Sequence, residues 1–238
     1  MAHAQFSLAE GIPTVVGSFG DANDLRETTA AVARASCDIA EIRLDLILAG
    51  SGQVETSLWR HLQDVPLLFT ARRIEEGGAL ALSATERTNL LRSVLNHAAC
   101  IDIELASIGE MGDLLKELEI RGIPWVASFH DFDKLPANPT LAKLARSAKD
   151  AGAYAFKVAA ALNHLEDLTR LAEFQLASHS LPVATMGMGR LAPVSRLLCA
   201  QCGSALSYGY LGETPTAPGQ WDTALLKQAI ARLSQYRH

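Results

Sequence analysis

With 238 residues, 49% of them hydrophobic and 20% charged, the chain has ample material for one large core, and α/β barrels of this length form single domains. A net charge of -5 and a pI near 5.8 exclude a basic nucleic-acid footprint, and no apolar run approaches the ~20 residues that cross a bilayer. The first ten residues lack the apolar core of a secretory signal, so a cytoplasmic setting is expected, with Cys37, Cys100, Cys199 and Cys202 reduced.

Short β-rich runs alternate with segments whose apolar residues recur at three and four, the pattern of βα units around a parallel sheet. The first expected strand, Thr14 to Phe19, follows Pro13 and leads to Asp21, a helix N-cap. The second, Ile39 to Leu44, carries Glu41, Arg43 and, just beyond it, Asp45, which strand alternation would put on one face. Leu67 to Ala71 follows Pro66 and ends in Arg72, Arg73 and Glu76-Gly77-Gly78, before a helix capped by Ser83. Cys100 to Glu104 carries Asp102 and Glu104 on one face.

Trp125 to Phe129 follows Pro124 and ends in Ser128-Phe-His130-Asp131. Ala155 to Ala159 contains Lys157, the only charge in an apolar run. Desolvation disfavours the ammonium of a buried, unpaired lysine and makes it a nucleophile toward carbonyls. Val183 to Met188 follows Pro182, contains Met186-Gly-Met188 and is followed by Ser195-Arg196, a guanidinium fork suited to a carboxylate. Ser204 to Tyr208 is the eighth strand. Eight βα units without a linker predict a single-domain (β/α)8 TIM barrel over residues 1–238 rather than two domains; a doubly wound sheet shares the same alternation, and the placement of the polar residues separates the two.

In such a barrel the active site lies at the C-terminal ends of the strands, and from the second to the seventh these ends carry the unusual residues. A lysine beside a histidine and several carboxylates can condense with a ketone while the histidine moves protons. No metal or organic cofactor is signalled. Cys199-Ala-Gln-Cys202 has zinc spacing but no second ligand pair, and Gly187-Met-Gly189 lacks the dinucleotide fingerprint.

Together these residues resemble the type I 3-dehydroquinate dehydratases, over nearly the whole chain. The resemblance rests on Glu41-Ile-Arg43-Leu-Asp45, Arg72 with Glu76-Gly-Gly78, Asp102-Ile-Glu104, Ser128-Phe-His130-Asp-Phe132, Phe156-Lys157-Val158, Met186-Gly-Met188 with Ser195-Arg196, and Gly203-Ser204 leading to Ala217-Pro-Gly-Gln220. It implies a homodimeric barrel that removes water from 3-dehydroquinate to give 3-dehydroshikimate in the shikimate pathway. Lys157 would form a Schiff base with the substrate ketone, His130 would act as base and then acid, and Glu76 would orient His130. No cofactor beyond that covalent bond is implied. Arg196 would hold the substrate carboxylate. Ser18, Glu41, Arg43, Arg72, Met186, Met188, Tyr208, Thr216 and Gln220 would complete the binding site.

Three departures stand out: Thr216 replaces the family's usual serine and its methyl is expected to narrow the pocket, Tyr208 stands where phenylalanine is common, and the stretch Gly209–Pro215 is slightly long. A Schiff-base aldolase on the same barrel remains an alternative, with Gly187-Met-Gly189 and Gly203-Ser204 as phosphate-binding stretches. A barrel that has lost catalysis fits less well, since Lys157 and His130 are both present.

Overall fold

A computed structural model describes residues 6–8, 12–62 and 64–236. In chain order, β1 (Thr14–Phe19) leads to α1 (Ala22–Glu27) and α2 (Ala30–Ser36), β2 (Ile39–Arg43) to α3 (Leu44–Ser51), and β3 (Leu67–Thr70) to α4 (Ala84–Val94). The pattern repeats in β4 (Cys100–Glu104) with α5 (Gly112–Arg121), β5 (Trp125–Asp131) with α6 (Asn138–Asp150), and β6 (Ala155–Ala161) with α7 (Leu165–Leu176). It ends with β7 (Val183–Met188) and α8 (Ala192–Gln201), β8 (Leu206–Tyr210), a two-residue β9 (Trp221–Asp222), and α9 (Thr223–Leu233). Strands β1 to β7 pair in sequence order and in parallel, and β8 lies beside β1. This is the expected eightfold βα order curled into a barrel.

Local chemistry explains the entries. Asp21 accepts hydrogen bonds from the Asn23 and Asp24 amides at 2.7 and 3.2 Å, and Ser83 forms a reciprocal capping box with Glu86. The prolines before strands cost no ladder donor, and three extend the pairing through their carbonyls: Pro66, Pro124 and Pro182 accept from Ala40, Ile101 and Phe156.

The curl is sealed unevenly. Ladders join every neighbouring pair except β7 and β8, which are tied by Ala205 N–H donating to the Val183 carbonyl at 2.9 Å. Ser204 was expected to open β8. Instead its hydroxyl accepts from Thr185 N–H at 3.1 Å and donates to the Leu206 carbonyl at 2.9 Å, substituting for ladder bonds at the seam. Other boundaries shift as well. Asp45 lies in the first turn of α3 rather than on strand alternation, and β5 and β6 run two residues further than read, because His130 and Asp131 pair with Ala159 and Ala160.

The barrel interior is built in sets of two-residue steps. Val16, Ile39, Leu68, Cys100, Val126, Ala155, Ala184 and Leu206, one from each of β1 to β8, form an apolar floor. Two residues further along the same strands stand Ser18, Glu41, Thr70, Asp102, Ser128, Lys157, Met186 and Tyr208, all buried. A third step reaches Arg43, Arg72, Glu104 and His130. Successive inward side chains are two residues apart in a strand, so the chemistry rises above a dry base. Outside the sheet, Trp59, Phe19, Phe69 and Phe156 fill the helix-facing core, each burial contributing about 2–3 kcal/mol.

Candidate active site

Lys157 lies mid-way along β6, 3% exposed, in a strand of small apolar residues. Its sequence surroundings suggested an unpaired amine, but the partner comes from two strands away: Nζ donates to Asp102 Oδ2 at 2.6 Å. Burial lowers the Lys157 pKa below the usual lysine value, against the pull of Asp102. Its ammonium also sits 4.5 Å from the centre of the Tyr208 ring.

Asp102 is itself shared. Its Oδ1 accepts from the Ser128 hydroxyl at 2.6 Å and lies 2.9 Å from Arg72 Nη1. Burial opposes ionisation of Asp102, yet Arg72 and Lys157 together hold its carboxyl well below the usual range. Arg72 also donates to Ser128 at 2.6 Å and to Glu104 at 3.0 Å.

His130, at the end of β5, is held by one oxygen of Glu76, which accepts from its backbone N–H and faces its Nδ1, both at 2.9 Å. Burial, reinforced by the Arg72 and Lys157 cations, pushes the imidazole well below its ordinary pKa, so it is neutral at pH 7. Burial raises Glu76 to about 7 despite the nearby Arg72.

The segment presenting Glu76 is shaped from β2 and α3. Arg43 grips Asp45 through two nitrogens at 2.9 and 2.7 Å and donates to the Gly77 carbonyl at 3.1 Å. Asp45 accepts from the amides of Arg72 and Ala79 at 3.2 and 3.1 Å. The turn closes so tightly that a Cβ on Gly78 would stand 2.3 Å from the Arg72 carbonyl oxygen, and Gly77 adopts a left-handed φ of 88°.

These groups share a cavity of about 170 Å³, with Glu41, Arg43, Arg72, Glu76, His130, Lys157, Met186, Met188, Arg196, Tyr208, Thr216 and Gln220 all on its wall. Of the residues expected from sequence, Ser18 alone is not on that wall: it is fully buried, donates to Glu41, and is reached through Thr216. Thr70 donates to the other Glu41 oxygen at 2.7 Å.

Arg196, on α8, reaches across the seam to the Tyr208 carbonyl at 2.9 Å and Met186 Sδ at 3.4 Å, while its buried Nε has no partner. No carboxylate among the described residues pairs with it, and burial lowers its pKa to about 10. A buried guanidinium left in this state on a cavity wall is a place for an anion.

The sequence matches the type I 3-dehydroquinase family over residues 15–237. The chain belongs to that family. A 3-dehydroquinate dehydratase of Methanocella arvoryzae is 33% identical over 211 residues, covering 87% of this chain and 91% of that protein. Among solved structures, the 3-dehydroquinate dehydratase of Geobacillus kaustophilus superposes with a TM-score of 0.83 at 28% identity, over 95% of this chain and 93% of its own. The type I 3-dehydroquinate dehydratase of Clostridium difficile, solved with covalent modified comenic acid, gives 0.82 at 25% identity over 99% and 98%.

Within this 3-dehydroquinase barrel, several groups escaped sequence reading as members of the site. Asp102 and Glu104 were visible as inward pairs, but nothing in the chain assigned one to Lys157 and the other to Arg72. The two-residue offset that Asp102, Ser128 and Lys157 share above their floor residues is the signal that could have joined them. Arg87, on α4 and 2% exposed, donates to Glu104 at 2.9 Å and went unnoticed in an otherwise amphipathic helix.

The Thr216 methyl is seated against Gly20, where a Cβ would stand 2.8 Å away, and Thr216 itself lies on the cavity wall. Of the stretches that could have bound phosphate, Gly203-Ser204 lies before β8, at the barrel end opposite the cavity, and the Gly187 amide is consumed by Ser195 Oγ at 2.9 Å. Among the described residues no trio of His, Cys, Asp or Glu is grouped to hold a metal ion, and no helix is long and apolar enough to cross a membrane.

Proposed function

We propose that the chain converts 3-dehydroquinate to 3-dehydroshikimate and water, as a step of the shikimate pathway, through a Schiff base on Lys157. Lys157 in its neutral form adds to the substrate ketone, and loss of water from the adduct leaves an iminium whose positive charge faces Asp102. The iminium acidifies the adjacent carbon. With Nδ1–H donated to Glu76, neutral His130 offers Nε2 as the base that takes a proton from that carbon. The resulting enamine expels the hydroxyl, which leaves as water carrying the proton from His130. Hydrolysis of the conjugated iminium then returns Lys157 and releases the enone product.

The observation that carries this reading is the buried Lys157 amine in one cavity with a neutral His130 and the unanswered Arg196 cation. The covalent modified comenic acid of the Clostridium difficile relative is consistent with it. Arg196 would take the substrate carboxylate, and Gln220, whose Oε1 accepts from Thr216 and Ala217 amides at 2.9 and 3.1 Å, would hold the covering segment over the ring.

Borohydride added during turnover should reduce the iminium and fix a substrate-derived mass on the peptide carrying Lys157. Recovery of that peptide unmodified, under conditions where the enone absorbance still accumulates, would sink the Schiff base. The absence of enone formation would sink the substrate assignment.

A further inference from the structure

Lys157 does not stand at the edge of a single ion pair but at the inner end of a buried chain of alternating charge. Asp102 Oδ2 meets Lys157 at 2.6 Å, and Asp102 Oδ1 meets Arg72 at 2.9 Å. Arg72 meets Glu104 Oε1 at 3.0 Å, and Glu104 Oε2 meets Arg87 Nη1 at 2.9 Å. All five side chains are buried, none more than 3% exposed as a residue. The chain thus runs from the cavity, past the C-terminal ends of β3 and β4, to a helix on the outside of the barrel.

The two oxygens of Glu104 divide this labour. Oε1 also accepts from the Arg73 amide at 3.1 Å, and Oε2 from the Ser107 hydroxyl at 3.1 Å. We propose that Arg87 is a positioning residue for the Lys157 nucleophile: by neutralising the outer oxygen of Glu104 it keeps Arg72 divided between Glu104 and Asp102. Without Arg87, Glu104 would be a buried carboxylate with one cation instead of two, and it would draw Arg72 outward. Asp102 would then be left to Lys157, whose ammonium it would stabilise and whose free amine it would make scarce.

The other charged and titratable groups around Lys157 are fixed by different contacts. Glu41 on β2 is held by Ser18 and Thr70, His130 on β5 by Glu76, and Cys100 and Tyr208 line the interior on β4 and β8. None of these depends on Arg87. Its loss therefore reaches the amine through Glu104, Arg72 and Asp102 alone.

The test is the pH dependence of Lys157 acetylation by trace acetic anhydride in the folded protein, read by mass spectrometry of the Lys157 peptide. Arg87→Met should raise the titration midpoint of Lys157 by about one pH unit, which slows labelling at neutral pH about tenfold. Arg87→Lys, which keeps the cation, should recover most of the wild-type midpoint. The pair Arg87→Met with Glu104→Gln, which removes both outer charges and leaves Arg72 to Asp102, should move the midpoint below that of the wild type. Opposite shifts in the single and double variants are not what a loosened helix would give. An unchanged midpoint in Arg87→Met overturns the inference. So does an upward shift in the double variant, which also serves if the single variant does not fold.

The importance of this relay for turnover rests on the Schiff-base reading, and the two fail separately. Labelling shifts without any borohydride adduct in the wild type would remove the Schiff base and leave the relay. An adduct with unshifted labelling would do the reverse.

Discussion

Arg196 illustrates how a single side chain can be employed twice. Its Nη1 ties the seam by donating to the Tyr208 carbonyl, and its Nε is buried without an acceptor. Leaving such a donor unmet costs about 1–3 kcal/mol, a deficit that a bound carboxylate would remove. Arg196→Ala is therefore expected to lower kcat/KM for 3-dehydroquinate by roughly 10- to 100-fold, the equivalent of a charged hydrogen bond, with most of the change in KM. Steady-state kinetics beside a melting curve checks it, and an unchanged KM in a folded variant would reject Arg196 as the carboxylate site. The sequence showed this arginine after the seventh strand but not its freedom, because freedom is the absence of an acidic neighbour in three dimensions. Lys157 is the converse case. Its run looked solitary, and its partner Asp102 is 55 positions away in the chain.

At the scale of elements, the covering segment is attached by shape as well as by polarity. Thr216 Oγ1 lies 3.0 Å from Ser18 Oγ and 2.9 Å from Gln220 Oε1, while its methyl sits over Gly20, next to Leu46. Adding a methyl at Gly20 would collide with that methyl at 2.8 Å, so Gly20→Ala should push the segment off the cavity and raise KM several-fold. Thr216→Ser removes the opposing methyl and should restore much of the loss when combined with it, a coupling that a double-mutant cycle reads directly. Additive effects would show that the two residues do not touch in solution. The strands were legible because turn prolines, β-branched runs and inward polar residues all recur at the barrel period. Ser204 and the short β9 were not, since a side chain replacing ladder bonds and a two-residue strand leave no periodicity to read. Arg87 was hidden for a similar reason: on a helix it looks like any solvated charge until α4 is seen facing Glu104.

Across the whole molecule, the buried charges set opposing dependences of stability on pH. Asp102 and Asp45 ionise more readily in the folded chain than unfolded, burial being outweighed by Arg72 and Lys157 in one case and by Arg43 in the other. Their contribution is present above the ordinary aspartate range and is lost as the pH falls below it. His130, held neutral, adds to this loss because acid must charge it in a buried place. Glu76 acts in the other direction. With its pKa raised to about 7, the folded state binds a proton more tightly than the unfolded chain does. Stability from this group is fully present below the ordinary glutamate value of about 4.3 and declines as the pH rises toward 7. Glu76→Gln keeps an oxygen for the His130 amide and ring but removes the titration. The wild type should therefore lose stability relative to Glu76→Gln between pH 5 and pH 7.5, by roughly 2 kcal/mol if the shift is fully expressed. Urea midpoints for both proteins at the two pH values measure it, and parallel changes would mean that Glu76 remains ionised beside His130 throughout.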